Sequence, residues 1–215
     1  MLVSVLVSSL LPFSQTASAD IARAEQERLE QCLAKTETAP SEAYEDSLAW
    51  LSGGNRPKAR HCNAVALMAM GRITEGADRL QALASAPEPI SLEDRTLYLT
   101  QAGNAWLSSG IPDAAILALT DALKLNPDDA DLLTDRAAAY LLADRWTEGL
   151  SDLDAALVQR PQNPEALTLR ARAHLANENL RAAKADMEAA LLLDPENIDI
   201  LVLRGEIREA IRLSE

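Results

Sequence analysis

Aromatic residues are scarce in this sequence, which contains three Trp, three Tyr and one Phe among 215 residues. Glycine is also sparse, at eight residues, whereas Ala and Leu are abundant and 48% of the chain is hydrophobic. Ala and Leu favour the helix, while glycine disfavours it. The composition therefore predicts an all-α protein, in which helix packs upon helix.

Positive charge is in deficit, because 20 Lys and Arg residues stand against 33 Asp and Glu residues, for a net charge of −13. Binding to a phosphate backbone requires a basic face. Anionic membrane surfaces likewise attract basic segments. We therefore expect neither a nucleic-acid partner nor binding to anionic membranes.

Residues that bind metals or perform catalysis are few. The two histidines, His61 and His174, are far apart in the sequence, and the two cysteines form no CxxC motif of the kind that binds zinc. Acidic residues between Asp128 and Asp135 lie at a predicted helix start, where they stabilise the helix dipole. We predict no catalytic residue, no metal site and no cofactor, and hence a protein that is not an enzyme.

Long apolar runs are absent after the first residues, MLVSVLVSSLLPFSQTASA, which carry no charged side chain. Ala17-Ser18-Ala19 has the small-x-small form of a secretory cleavage site, although a basic segment before the apolar run is missing. The run is short for a membrane span and is interrupted by Pro12. We expect residues 1–19 to be a signal peptide that directs the chain to the periplasm, with no stable membrane anchor after cleavage. A disordered cytosolic tail is the alternative.

Cys32 and Cys62 are the only cysteines, and both fall in the amino-terminal part of the mature chain. An even number of cysteines in an exported protein favours a disulfide. Two buried free thiols are the alternative. Cys32 and Cys62 are therefore a candidate disulfide pair.

An internal period is the strongest feature of the sequence. Pro127, Pro161 and Pro195 stand 34 residues apart, in the segments KLNPDD, QRPQNP and LDPEN. A fixed period of this length is typical of a repeat array, with proline ending a helix at each corner between units. If each proline is set at position 32, equivalent positions have the same character in three units, with large residues at positions 4, 11 and 24 and small ones at 8, 20 and 27: Leu99, Leu133, Leu167; Trp106, Tyr140, His174; Leu119, Leu153, Met187; Gly103, Ala137, Ala171; Ala115, Gly149, Ala183; Ala122, Ala156, Ala190.

Large and small residues in this order describe two helices that approach closely at the small positions. The pattern resembles the tetratricopeptide repeat family over about half of the chain. The resemblance implies an α-solenoid of antiparallel helix pairs wound into a right-handed superhelix. The predicted divisions are 1–19 signal peptide, 20–57 amino-terminal helical pair, 58–90 degenerate repeat-like pair, 91–129, 130–163 and 164–197 repeat units one to three, and 198–215 capping helix.

Arg136 and Arg170 share position 7 of their units. We interpret them as salt-bridging residues that reach acids of the next helix, with exposure to solvent as the alternative.

A binding site can be inferred from the resemblance, because first-helix positions 2, 5, 9, 12 and 13 line the concave groove of the family. The candidate peptide-binding residues are Asn104, Leu107, Thr134, Ala138, Leu141, Leu142, Thr168, Arg172 and Leu175. Leucines form an apolar strip suited to an extended or helical peptide. Packing of these leucines against terminal helices is the alternative role.

Recognition of acidic peptide tails is not expected. In the family a carboxylate clamp of lysines, asparagines and arginine binds such tails, and Asn104 matches one clamp position. The other clamp positions have Thr100, Asp135, Glu165 and Leu169 instead. Together with Asp131, these acids predict a protein or peptide partner that is neutral or basic.

The functional prediction is a non-catalytic scaffold or adaptor of the bacterial cell envelope, which binds a partner peptide or protein in its concave groove. A chaperone-like accessory factor of envelope biogenesis, binding many clients, is the alternative. One defined partner would favour the first hypothesis, and broad binding to unfolded apolar segments would favour the second.

Overall fold

The computed structural model describes residues 13–214 and contains eleven helices and no strand within them. The all-α solenoid class is therefore confirmed. The helices are α1 Phe13–Thr38, α2 Pro40–Ser52, α3 Pro57–Ala69, α4 Ile73–Ala84, α5 Leu92–Ser108, α6 Pro112–Leu125, α7 Ala130–Leu142, α8 Trp146–Gln159, α9 Pro164–Ala176, α10 Leu180–Leu193 and α11 Ile198–Ser214.

Residues 1–12 of the predicted signal peptide, which spans residues 1–19, lie outside the described residues. Helix α1 begins at Phe13, so the predicted cleavage point falls within the span of this helix. From α1 to α11, no helix has both the length and the apolar character that crossing a membrane requires.

The second unit, the third unit and α11 each begin with a side-chain cap two residues after the recurring proline. Asp129 accepts hydrogen bonds from the backbone N–H groups of the first turn of α7 at 2.9 and 3.2 Å. Asn163 does the same for α9 at 3.0 and 3.1 Å, and Asn197 for α11 at 3.0 and 3.4 Å. These caps satisfy donors that the helix itself leaves unpaired. The proline break and the cap together fix the corner between units.

The turn inside each unit uses a residue with left-handed backbone geometry. Gly110, Asp144 and Glu178 occupy the same position, 34 residues apart, with φ values of 71°, 57° and 59°. The backbone N–H of the residue after each one donates to the carbonyl of the residue five positions earlier, which lies in the first helix, at 3.0, 2.8 and 2.8 Å. This is the Schellman arrangement, which glycine adopts without strain and other residues adopt at a cost.

Successive helices pack side by side, and the first helices of neighbouring units also touch, α5 with α7, α7 with α9 and α9 with α11. Small residues allow the close approach. A Cβ atom added at Gly103 would lie 2.5 Å from Cγ of Leu119, and one added at Gly76 would lie 2.6 Å from the carbonyl oxygen of Ala64. Both distances are too short for a real contact, so these glycines keep the paired helices close.

The aligned positions form the core, with one exception. Positions 4, 8, 20, 24 and 27 are buried in all three units. Position 11 is buried only in the first unit, where Trp106 is 7% exposed. Tyr140 is half-buried, with the guanidinium groups of Arg145 and Arg136 at 4.6 and 5.7 Å from its ring centroid. His174 is half-buried as well, with Nε2 at 3.9 Å from Oδ2 of Asp186. At position 11 of the second and third units the ring therefore lies close to charged side chains.

Arg136 and Arg170 are ion-paired rather than free in solvent. Arg136 donates to both carboxylate oxygens of Asp152 at 2.7 and 2.8 Å, and Arg170 to both of Asp186 at 2.7 and 2.7 Å. Each arginine thus joins the two helices of its own unit through a bidentate pair. The hydrogen bond to the carboxylate raises the pKa of both guanidinium groups, so they stay charged.

Helices α1, α2 and α3 pack together around a separate core cluster that includes Trp50. Cys32 of α1 and Cys62 of α3 are disulfide-bonded in this cluster, with Cα atoms 6.0 Å apart. That separation is normal for a disulfide. The bond ties the first helix to the third.

Candidate functional site

An apolar hollow lies where the first helices of the units meet. This groove cavity has a volume of about 560 Å³. Its walls come from α5, α7, α8, α9 and α11 and are lined by Leu107, Ala138, Leu141, Leu142, Trp146, Leu169, Arg172, Leu175, Ala176 and Glu206. A cavity of this size and character is typical of sites that bind ligands.

Six of the predicted binding residues line the groove cavity: Leu107, Ala138, Leu141, Leu142, Arg172 and Leu175. They meet because the 34-residue period superimposes equivalent positions along the stack. Leu107, Leu141 and Leu175, for example, occupy one position in three consecutive units. The period therefore assembles an apolar strip from residues that are distant in the sequence.

Three predicted residues do not line the cavity. Asn104 is exposed, and its Nδ2 donates to Oδ2 of Asp135 at 3.0 Å. Thr134 is only 2% exposed, and its hydroxyl donates at 2.7 Å to the carbonyl of Ala130 one turn earlier. The inward orientation of Thr134 removes it from any ligand surface in this structure. Thr168 makes the same bond to Pro164 and borders a second hollow of about 410 Å³.

Trp146, Leu169 and Glu206 line the cavity, although the groove positions did not include them. Glu206 could have been found, because it stands 34 residues after Arg172, and extending the register into α11 places it in the groove. Trp146 is the first residue of α8. It is half-buried and presents part of its surface to the cavity.

Leu141 and Leu142 have different roles, although they are adjacent. Leu141 is 8% exposed and belongs to the core cluster of the second and third units, so its side chain supports the cavity wall. Leu142 is 50% exposed. An exposed leucine in an apolar hollow offers surface that a partner can cover. Leu142 is thus the apolar side chain of this pair that is accessible to a ligand.

Two charged residues line the groove cavity, Arg172 and Glu206, and the adjoining hollow, which shares Arg172, is lined by Glu165, Asp194 and Asp199. Burial raises the pKa of Asp135, and the neighbouring carboxylates of Glu165, Asp131 and Asp129 raise it further, while the Asn104 hydrogen bond lowers it. Asp131 is not a free acid, because Arg160 donates to both of its oxygens at 2.6 and 2.7 Å.

Arg172, by contrast, forms no hydrogen bond or ion pair through its side chain with any residue between 19 and 214. The groove cavity therefore has one available guanidinium group and one acid in its lining, with further acids in the adjoining hollow.

The residues at the clamp positions cannot hold a carboxylate. The amide of Asn104 already donates to Asp135, itself an acid where the clamp has an asparagine. Thr100 donates its hydroxyl to the carbonyl of Thr96 at 2.8 Å. Glu165 and Leu169 supply no positive charge. An acidic peptide terminus would meet repulsion rather than donors at these positions.

Solved structures with the same architecture include complexes with peptides. The first TPR of Spaghetti (RPAP3) bound to the HSP90 peptide SRMEEVD is 29% identical, with a TM-score of 0.52, over 54% of this chain and 93% of that one. The second TPR domain of human RPAP3, in complex with the HSP70 peptide SGPTIEEVD, is 25% identical, with a TM-score of 0.52, over 55% and 98%. MamA from Desulfovibrio magneticus RS-1 is 15% identical, with a TM-score of 0.67, over 82% and 97%.

Among curated proteins, no significant match to the chain was found. Two family models described as tetratricopeptide repeat match residues 107–173 and 164–197. These ranges lie within residues 91–197, where the units share the 34-residue period, the buried small positions and the capped corners. Residues 107–197 of the chain therefore consist of tetratricopeptide repeats, which form a scaffold for protein interaction.

Proposed function

We propose that the chain is a non-catalytic adaptor that binds one peptide segment of a partner protein in the groove cavity. The observation that carries the proposal is the apolar cavity of about 560 Å³ with Leu142 exposed inside it. Burying apolar surface there provides affinity, while the few polar groups at the border provide orientation. Large apolar side chains of the peptide would fill the cavity.

The charges favour a neutral or basic peptide. Glu206 lines the cavity and Glu165 lines the adjoining hollow, while Arg172, which lines both, can pair with a single acid or a backbone carbonyl of the ligand. A lysine or arginine beside the apolar anchor would meet the acids favourably. This selectivity differs from that of the similar RPAP3 domains, whose bound peptides end in EEVD.

The adaptor would work in the periplasm. Two features support this part of the proposal: the uncharged, small-x-small segment at residues 1–19, and the pairing of Cys32 with Cys62. Disulfides persist mainly in oxidising compartments. Fractionation of cells that express the full chain tests this location, with a shortened mature form in the periplasm as the expected result. Full-length protein in the cytosol would contradict it.

Selection from a random peptide library on the mature chain tests the binding proposal. We expect enriched peptides to share a large apolar residue with Lys or Arg nearby. Leu142→Glu should weaken their binding by at least about tenfold, because it places a charge in the apolar contact. Leu192→Glu is the matched control, since Leu192 is 86% exposed and does not line the cavity.

Leu141 is unsuitable for this test, because a glutamate there would disrupt the core. Equal binding by wild type and Leu142→Glu would contradict the proposal. Enrichment of unrelated apolar peptides with no shared pattern, lost in Leu142→Glu, would favour the chaperone-like factor over the adaptor.

A further inference from the structure

In the ion pairs of Arg136 and Arg170, both the arginine and its carboxylate partner recur at the repeat period. The arginines are 34 residues apart, and so are their partners Asp152 and Asp186. Each arginine therefore receives its carboxylate from the same position of the second helix in its unit. The arrangement is a property of the repeat rather than of one site.

Each arginine also reaches back to the preceding unit. Arg136 donates to Oγ1 of Thr120 at 3.2 Å, and Arg170 donates to Oδ1 of Asp154 at 2.8 Å. Thr120 and Asp154 are again 34 residues apart. A guanidinium group at this position thus donates to two acceptors. One lies on the preceding unit, and the other is a carboxylate on the second helix of its own unit, which it binds more strongly through two hydrogen bonds.

Arg204 continues the series in α11, 34 residues after Arg170. Glu188 occupies the position equivalent to Asp154, and it borders the same hollow as Arg204. The bidentate site has no occupant, since no second helix packs on α11 within residues 13–214. In that part of the chain Arg204 has no ion-pair partner. The half-buried guanidinium group of Arg204 is thus positioned to bind a carboxylate that the described residues do not supply.

The surface around Arg204 has the character of a helix-docking face. A hollow of about 360 Å³ lies between α10 and α11, with an apolar floor from Met187, Leu191, Ile207 and Ile211. Lys184, Arg204 and Arg208 border it, against one acid, Glu188. This border is positive in a chain whose net charge is −13. The charge complements an acidic segment, and the hollow shares no lining residue with the groove cavity.

We propose that this face, the α10–α11 hollow with Arg204, binds an acidic amphipathic helix of a partner protein. The helix seats as α8 and α10 seat on their own first helices, with an Asp or Glu bound to Arg204. The chain itself defines the sequence that fits. In α8 and α10 the helix has a small residue, then Asp three positions later, then Leu or Met, then Ala three positions further: Gly149, Asp152, Leu153, Ala156 and Ala183, Asp186, Met187, Ala190. The site is a second interaction surface, independent of the groove cavity.

A peptide with the sequence of α8, WTEGLSDLDAALVQ, is the probe that tests this proposal, with blocked ends and a fluorescent label. Titration of the whole chain into the peptide, followed by fluorescence anisotropy, should give saturable binding. Changing the peptide aspartate that corresponds to Asp152 to asparagine should weaken binding by at least about tenfold, because charge-assisted bonds to Arg204 are lost. Arg204→Glu in the chain should have the same effect.

Charge exchange gives the sharper readout. The Arg204→Asp variant should not bind the wild-type peptide, but it should bind a peptide that has arginine at the aspartate position. Arg204→Gln serves as a second variant if either charged substitution lowers the melting temperature. Leu142→Glu should leave α8-peptide binding unchanged, so that failure of this proposal and failure of the groove proposal can be told apart.

The proposal is overturned if the α8 peptide shows no saturable binding up to about 1 mM, or if Arg204→Glu and Arg204→Gln bind it as well as the wild type. Sedimentation of the chain alone tests another occupant. Self-association that disappears in Arg204→Glu would make the occupant a second copy of this chain and overturn the assignment to a partner protein.

Discussion

Arg136 and Asp152 form a bidentate ion pair between the two helices of the second unit, and the equivalent positions of the first unit are Ala102 and Ala118, both fully buried. The same scaffold therefore accepts either a charged pair or two small apolar residues at this point. What it should not accept is half of the pair. Removing one partner leaves the other ion desolvated without compensation.

We expect Asp152→Ala to destabilise the chain by about 2 kcal/mol, since Arg136 would lose its two charge-assisted bonds. The double variant Arg136→Ala/Asp152→Ala, which imitates the first unit, should be closer to the wild type than Asp152→Ala is. Urea unfolding of the four members of this cycle measures the coupling. Additive losses, with the double variant the least stable, would show that the pair has no such interdependence.

Strain in the turns offers a second test. Asp144 and Glu178 adopt left-handed geometry at the position where the first unit has Gly110. Asp144→Gly should therefore stabilise the chain by about 0.5–1 kcal/mol, and Glu178→Gly similarly, because glycine adopts φ near 60° without steric cost. Ala143→Gly is the matched control next door, where φ is −90°, and it should be destabilising. An unchanged or lower melting temperature in Asp144→Gly would contradict the strain argument.

His61 predicts how stability depends on pH. It is 1% exposed, Nε2 lies 2.8 Å from Oε1 of Gln101, and Nδ1 has no partner in the described part of the chain. Burial lowers the pKa of His61 from 6.5, although Gln101 and Asp94 partly oppose this shift. Between the lowered native pKa and 6.5, the unfolded chain binds the proton more readily than the native one. Stability should therefore fall as pH drops below about 6.5, and this loss should be complete below the native pKa.

Melting curves from about pH 7 to about pH 5 measure this effect, because carboxylates titrate mostly below that range. His61→Gln should flatten the slope, whereas His174→Gln, which leaves His61 in place, should preserve it. A slope that is equally steep in His61→Gln would assign the pH dependence to another group.

The Cys32–Cys62 bond links α1 to α3 across a sequence separation of 30 residues. Closing a loop of this length should stabilise the chain by about 3 kcal/mol relative to its reduced form. We expect dithiothreitol to lower the melting temperature of periplasmic protein, and Cys32→Ala/Cys62→Ala to be insensitive to the reductant. Two reactive thiols in the protein, denatured without reductant, would instead support the free-thiol alternative.

The helical units were accessible from the sequence because the repeat period imposes the same constraint three times. Proline at position 32, small residues at 8, 20 and 27 and large ones at 4 and 24 recur, so that chance patterns are averaged out. Contacts that depend on one side chain were less accessible. Arg160 binds Asp131 and Arg145 lies over the ring of Tyr140 within the second unit, and neither pair of residues recurs at the repeat period.

The position of the groove could be predicted from the sequence, but the accessibility of its individual side chains could not. The register brought Leu107, Leu141 and Leu175 together, yet it could not distinguish Leu142, which is exposed, from Leu141, which supports the core. Thr134 occupies a predicted groove position, yet its hydroxyl donates to the backbone of its own helix. Periodicity specifies the face of a helix, whereas rotamers and neighbouring side chains decide which groups a ligand can reach.

The most direct test of the groove as the binding site uses Trp146, which lines the cavity, while Trp50 and Trp106 are 3% and 7% exposed. In a Trp50→Phe/Trp106→Phe background, Trp146 is the only fluorescent indole, and acrylamide quenching reports its access to solvent. Titration with a peptide selected on the wild-type chain should shift its emission to the blue and protect it from quenching, in step with binding measured by anisotropy. Saturable binding that leaves the emission and quenching of Trp146 unchanged would place the peptide elsewhere and contradict the proposed function.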